Sequence, residues 1–220
     1  MQIFRKFLKR GVGGCCREFK ETWVSFVNWL PELDLCDDLK QLRDFCLQCR
    51  RCSLRETCRG VVFGEGNPRA LLMLVGEAPG ADEDRLGRPF VGAAGQLLNK
   101  ILDAAGFTRE EVYITNVVKC RPPGNRLPKK EEAECCFPYL VRQIELIQPR
   151  LIVCLGSLAT QYLVHQQAKI TLVRGKVFRK GWAQIVPTFH PAALLRDASK
   201  KKLVWQDFKL IRELYARIKR

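Results

Sequence analysis

Four short runs of consecutive apolar residues, ALLMLV (70–75), VYIT (112–115), LIVCLG (151–156) and AQIVPTF (183–189), recur along the chain. Runs of this length without polar alternation are the pattern of parallel strands buried on both faces. Between them the apolar positions spread to helical spacing. Leu97, Leu98, Ile101 and Leu102 precede Gly106, and Tyr139, Leu140, Ile144 and Ile147 precede Pro149. Each set is one stripe of an amphipathic helix closed by a helix-ending residue. The alternation predicts an α/β fold whose mainly parallel sheet is covered by helices on both faces, with ligands bound at the carboxyl ends of the strands.

Residues 1–45 have a different pattern. Phe19, Trp23, Phe26, Val27 and Leu30 repeat at helical spacing up to Pro31, and Leu35, Leu39, Leu42 and Phe45 mark a second helix. Two amphipathic helices are predicted, an N-terminal extension (1–45) ahead of a main domain (46–220). Packing on that domain is the plain expectation. The basic opening RKFLKR leaves a membrane or partner role open.

The loops that follow the four runs are GEAPGADED, NVVKCRPPGNR, GSLAT and HPAALLR. The first resembles a phosphate cradle in position only. It lacks the dinucleotide spacing and the Gly-Lys-Ser/Thr ending, and Glu77, Asp82, Glu83 and Asp84 would repel a phosphate.

At 220 residues the chain can bury one substantial core, and its formal charge of +15 calls for an anionic partner, nucleic acid or a membrane surface. No apolar run reaches the roughly 18 residues of a spanning helix, and no secretory signal is evident, so a cytoplasmic protein is expected. Eleven cysteines, an odd number in a chain without an export signal, favour metal ligation over disulfides. Cys49-Arg-Arg-Cys52 with the distant Cys120 and the pair Cys135-Cys136 could enclose tetrahedral zinc or a [4Fe–4S] cluster, and spacing does not choose between them. Cys46 and Cys58 are further candidates. A thioredoxin-like Cys49/Cys52 pair is disfavoured because it does not follow a strand of a βαβ unit.

The stretch from VVFGEGNPRALLMLVGEAPGADEDRLGRPFVGAAGQLLNKIL through VYITNVVKCRPPGNR, VRGKV and FHPAALLR resembles the family 4 uracil-DNA glycosylases, the iron–sulfur members of that superfamily. The likeness runs over about residues 46–218. It implies a three-layer α/β/α sandwich around a central, mainly parallel four-stranded sheet. It also implies a [4Fe–4S] cluster held by Cys49, Cys52, Cys120 and Cys136, with Cys46 and Cys58 left as free thiols.

The implied activity gives each motif a task. A glycosylase flips its target nucleotide into a pocket, fills the gap in the stack, reads the base and stabilises a cationic sugar with an anionic leaving base. The resemblance puts Phe90 under the flipped base and Asn116 at uracil's O4 and N3–H, which an amide can match because it both donates and accepts. Glu77 falls opposite the sugar; Asp82, Glu83 and Asp84 are the competing carboxylates, with Glu83 and Asp84 ranked behind Glu77 because three adjacent acids are expected to be partly solvated. His190 becomes the donor to the leaving uracil, while His165 reads as structural. Ala78 stands where family 1 relatives carry a water-activating Asp. Ala193 and Leu194 are expected to wedge into the stack, with Arg196 on a phosphate and the lysines at 200–202 adding backbone affinity. A covalent relative carries a KRRIH loop that is absent here.

These assignments describe a monomeric, monofunctional base-excision repair glycosylase acting on uracil-containing DNA, with no membrane required and a partner role for residues 1–45 left open. The alternative is a non-catalytic iron–sulfur nucleic-acid module associated with a replication protein. Glu77, Phe90, Asn116 and His190 together argue against it, because a binding module has no need of all four.

Overall fold

The computed structural model describes residues 30–220. The basic opening and the first predicted helix, apart from its last residue Leu30, lie outside the described residues.

After a 3₁₀ turn at Pro31–Leu35 come helices α1 (Leu39–Leu47) and α2 (Leu54–Thr57), strands β1 (Glu65–Gly66) and β2 (Leu72–Gly76), and helices α3 (Ala81–Leu86) and α4 (Ala93–Ala104). Strand β3 (Tyr113–Asn116), helix α5 (Lys130–Ile147), strand β4 (Leu151–Leu155) and helices α6 (Ser157–Leu163) and α7 (Ile170–Val173) follow. The chain ends with strands β5 (Phe178–Lys180) and β6 (Ala183–Thr188) and helices α8 (Pro191–Arg196) and α9 (Lys200–Lys219).

The sheet order is β1-β3-β2-β4-β6-β5. The four predicted strands form its parallel centre, and β1 and β5 add antiparallel edges. The sheet therefore has six strands where the sequence predicts four. Two- and three-residue edge strands leave no periodicity to read.

Alternation along the central strands separates the two faces. Met73, Val75, Tyr113, Ile152, Cys154 and Ile185 pack with Leu42 of α1 and Phe137, Leu140 and Ile144 of α5. Leu72, Leu74, Ile114, Leu151, Val153 and Val186 pack with Leu98 and Leu102 of α4 and Phe208 and Ile211 of α9. Helices on both sides of the sheet make the α/β/α sandwich.

The segment before Cys46 joins this core. Asp38 caps α1 by accepting the Gln41 N–H at 2.8 Å, and Leu33, Cys36, Leu42 and Cys46 belong to the cluster beneath α5. The predicted apolar stripe is off by part of a turn. Leu35 ends the 3₁₀ turn and is exposed, because the α-helix begins only after the Asp38 cap. The stripe that is buried is Leu42 and Cys46, with Leu39 half-buried.

Candidate active site

The parallel register pairs Gly76 of β2 with Asn116 of β3, so both chains leave the sheet side by side. Two bonds hold the exits together, Val117 N–H to Gly76 O and Val118 N–H to Glu77 O, both at 3.0 Å. Above them opens a cleft of about 710 Å³ whose walls include Glu77, Ala78, Phe90, Asn116, His190 and Arg196. It sits at the carboxyl ends of the strands, where an open parallel sheet binds ligands.

Asn116 is 1% exposed and its Oδ1 has no hydrogen-bond partner. A buried orphan acceptor costs about 1–3 kcal/mol, so its persistence calls for an explanation. Gly76 is part of the same arrangement. A Cβ there would overlap both Asn116 Oδ1 and the ring edge of Phe90, so only glycine lets the amide and the ring converge.

Phe90 is buried in the left-handed region at φ 52°, which a bulky residue adopts only when its surroundings impose it. Two side chains do so. Glu83 Oε1 accepts the N–H groups of Val91 and Gly92, each at 2.9 Å, while its Oε2 accepts the Gly80 N–H at 3.1 Å. Arg109 donates to Phe90 O at 3.3 Å and to Pro89 O at 2.5 Å, and is itself held by Glu65 at 2.8 Å. Gly95 completes the clamp, since a Cβ there would collide with the Phe90 backbone.

The three acids of the loop thus differ, contrary to the expectation that all are partly solvated. Only Asp82 is, pairing with Arg85 on the surface. Glu83 is buried and fully used by backbone donors. Asp84 is buried too, accepting the Arg59 N–H at 2.9 Å. Both side chains face inward because backbone donors from neighbouring loops meet them, Val91 and Gly92 at Glu83 and Arg59 at Asp84.

Glu77 is half-buried, with burial pushing its carboxyl above the ordinary range and Arg196 opposing that rise. His190 caps α8 with Nδ1 accepting the Ala192 N–H at 3.1 Å. Burial, aided by Arg196 and opposed by Glu83, pushes the imidazole down to about 4. At neutral pH the ring is therefore neutral, and with Nδ1 an acceptor its proton sits on Nε2. Its ring lies 5.5 Å from that of Phe90, tilted by 31°. His165 is exposed just beyond α6, its Nδ1 accepting the Gln167 N–H at 3.1 Å.

A model of the uracil DNA glycosylase superfamily matches residues 63–209. A type-4 uracil-DNA glycosylase of Sulfurisphaera tokodaii is 45% identical over 81% of this chain and 85% of its own length. The type-4 uracil-DNA glycosylase of Archaeoglobus fulgidus is 47% identical over 76% of this chain and 88% of its own. The chain belongs to the type-4 uracil-DNA glycosylase family. A DNA polymerase of Bacillus phage SP01 is 32% identical over 69% of this chain, which is 16% of that polymerase.

On this type-4 glycosylase chain the rim of the cleft departs from expectation at one residue. Leu194 is 2% exposed and packs in the core beside α9, so it is not available as a wedge. The short helix α8 has one buried face, which takes Pro191 and Leu194, and the next residue, Leu195, is 54% exposed. Ala193 is half-buried and Arg196 is exposed at the rim. The PPGNR segment forms the facing rim with Asn125, Arg126 and Leu127. Gly124 and Asn125 have φ of 62° and 55°, and Arg126 holds Glu132 by two bonds of 2.6 and 2.8 Å. The turn chemistry of Pro-Gly-Asn was the available signal for this rim.

The type-4 glycosylase cysteines gather in a second cavity, lined by Cys46, Cys49, Cys52, Cys120, Cys135 and Cys136 together with Arg51, Arg55 and Lys119. Both members of the Cys135-Cys136 pair therefore reach it. Cys136 is the deeper, and its Sγ accepts the Lys119 N–H at 3.2 Å. Burial raises the thiols of Cys52 and Cys120 and pushes Cys136 up to about 12. Cys58 sits against the Cys120 thiol. Among the described residues, no three His, Cys, Asp or Glu side chains converge at the spacing of a single metal ion. Thiols buried beside three cationic side chains suit an anionic thiolate-bound group.

Proposed function

We propose that the protein excises uracil from DNA by hydrolysing the N-glycosidic bond, leaving an abasic site. One observation carries this: the buried, unpartnered Oδ1 of Asn116, at the floor of a cleft walled by Phe90 and His190. An acceptor left without a partner in the protein suits the N3–H of a flipped uracil, and the Asn116 amide N–H suits O4. Cytosine offers a lone pair at N3 and an amino group at C4, so it meets the wrong polarity at both positions. Phe90 stacks on the base, while Gly76 keeps the floor clear.

The C1′–N1 bond breaks with both electrons leaving on uracil, whose negative charge spreads to O2. His190 Nε2–H donates to that oxygen, as a neutral imidazole can when its other nitrogen is tied to the backbone. Glu77 faces the developing oxocarbenium centre and orients the water whose oxygen bonds C1′. The proton lost by that water passes to Glu77 and then to solvent. Ala78 leaves room beside Glu77 and supplies no charge. Leu195 takes the wedge role, Ala193 lies close to the backbone, and Arg196 holds a phosphate.

Cys49, Cys52, Cys120 and Cys136 would hold a [4Fe–4S] cluster, the group in the resembling family. Bound there, it would supply a crosslink among the α1–α2 loop, the β3–α5 loop and α5. A cavity lined by six cysteines beside Arg51, Arg55 and Lys119 supports a thiolate-held group there, and the family resemblance favours the cluster over zinc. The protein is read as a monomer whose domain takes in the segment before Cys46, since Leu33, Cys36 and Leu42 belong to its core.

The test is incubation with a uracil-containing oligonucleotide followed by hot alkali. Strand cleavage at uracil is expected; intact strands from cluster-loaded protein would sink the proposal. Asn116→Asp replaces the donor facing O4 with an acceptor. It should cost about 10²-fold or more in kcat/KM on uracil while binding of normal DNA changes little. Equal losses on both would remove Asn116 from base recognition.

A further inference from the structure

Lys119 is 1% exposed, an ammonium enclosed between the sheet and α5. Its three donors meet three acceptors: Thr115 Oγ1 at 2.6 Å, Gln143 Oε1 at 2.6 Å and the backbone oxygen of Asn116 at 2.8 Å. The partners are tied in turn. Thr115 Oγ1 donates to Phe63 O at 2.9 Å, and Gln143 Nε2 donates to the same oxygen at 2.9 Å and to the Tyr113 hydroxyl at 3.2 Å. The backbone N–H of Lys119 meanwhile reaches Cys136 Sγ. One residue thus connects the thiol-lined cavity to the peptide unit whose side chain reads the base.

Burying an unpaired lysine is expensive, and a methionine or leucine could fill the same volume without that cost. What the ammonium adds is a fixed direction for the Asn116 carbonyl. At the end of β3 that carbonyl has left the ladder, and the next peptide groups turn away to form the loop carrying Cys120. A peptide plane free to rock would swing the Asn116 amide with it, and recognition of an edge by paired hydrogen bonds tolerates little displacement.

We propose that Lys119 is a positioning residue for uracil recognition: by holding the Asn116 carbonyl between Thr115 and Gln143, it fixes the plane from which the Asn116 amide meets the base. This rests on the glycosylase reading above, and it makes no contact with substrate itself. The uracil site and the cysteine cavity therefore meet at one residue, the first through its ammonium and the second through its backbone N–H. Misplacement of one is felt at the other through the Cys136 contact.

The test compares Lys119→Met with the unaltered protein, both as purified with iron content and visible absorption matched. Three readouts are taken: inhibition by free uracil, kcat on a uracil oligonucleotide, and affinity for DNA carrying a tetrahydrofuran abasic analogue. Uracil inhibition is expected to weaken about tenfold and kcat to fall about tenfold or more, with abasic-analogue affinity within about twofold. A role confined to stability would leave uracil inhibition in place, and that result overturns the proposal. Should Lys119→Met fail to accumulate, Thr115→Val decides: it keeps the lysine and the volume and removes one acceptor. A roughly threefold loss of uracil inhibition at unchanged iron content supports the proposal, whereas unchanged inhibition overturns it. Activity of the unaltered protein on uracil tests the glycosylase reading separately.

Discussion

At the scale of single residues the site is a set of side chains in costly environments. Glu77 loses solvent, His190 is kept neutral and Asn116 lacks a partner for Oδ1. The pH profile follows from the first two. A carboxyl raised above 4.5 loses its charge at a higher pH than an ordinary glutamate, so kcat/KM should fall on the acid side from above that value. Histidine protonation sets in only near 4 and leaves no separate limb at neutral pH. Glu77→Gln should abolish the acid limb and cost about 10²- to 10³-fold in kcat/KM. The stability effect has the opposite sign. A carboxyl whose folded pKa is raised makes the fold less stable once pH exceeds the unfolded value, so at pH 7 the neutral amide should raise Tm by about 1–3 °C. A fall in Tm, or a surviving acid limb, would show that Glu77 is not the strained carboxylate. Legibility at this scale followed the motif. Glu77, Phe90, Asn116 and His190 could be placed by their loops. The division of labour among Asp82, Glu83 and Asp84 could not, because it depends on where α3 begins and which N–H groups turn toward each carboxylate.

At the scale of elements, the sheet was legible because four uninterrupted apolar runs leave few alternatives, and the register then brings Gly76 beside Asn116. What escaped was phase in short pieces. The six residues of α8 have no full repeat to fix their orientation, so the motif that pointed to Leu194 as the wedge could not show that it is buried and Leu195 exposed. The turn at Pro31–Leu35 displaces Leu35 from the stripe of α1 in the same way. The strand ends also make a sharp prediction. Gly76→Ala adds one carbon where Asn116 Oδ1 and Phe90 converge, at a backbone conformation any residue can adopt. The expected result is a loss of about 10²-fold or more in kcat on uracil, with affinity for abasic-analogue DNA retained and Tm lowered by only a few degrees. Activity close to that of the unaltered protein would mean that the two side chains part without loss, and that their close approach does not shape the base pocket.

At the scale of the whole molecule the charge of +15 has to be divided between cations engaged within the protein and cations free to meet phosphate. Sequence counts both kinds alike, and so the basic run at 200–202 reads as uniform. In the fold Lys200 pairs with Asp197 at 2.8 Å and lies over the Phe189 ring, whereas Lys201 and Lys202 are exposed on the first turn of α9. Arg109 and Arg174 are likewise spent on Glu65 and Asp207. Arg196 at the rim of the cleft and the exposed Lys201 and Lys202 remain among the cations free to meet phosphate. Each cation that displaces a counterion contributes about one unit to the slope of log affinity against log salt. Replacing both Lys201 and Lys202 by Gln should lower that slope by about two, weakening uracil-containing and normal DNA equally. The same two substitutions should leave inhibition by free uracil untouched, since neither side chain lines the cleft. A Lys200→Gln variant separates the two kinds of lysine, being expected to lower Tm more than the salt slope; a slope change equal to that of its neighbours would place all three on the phosphate backbone.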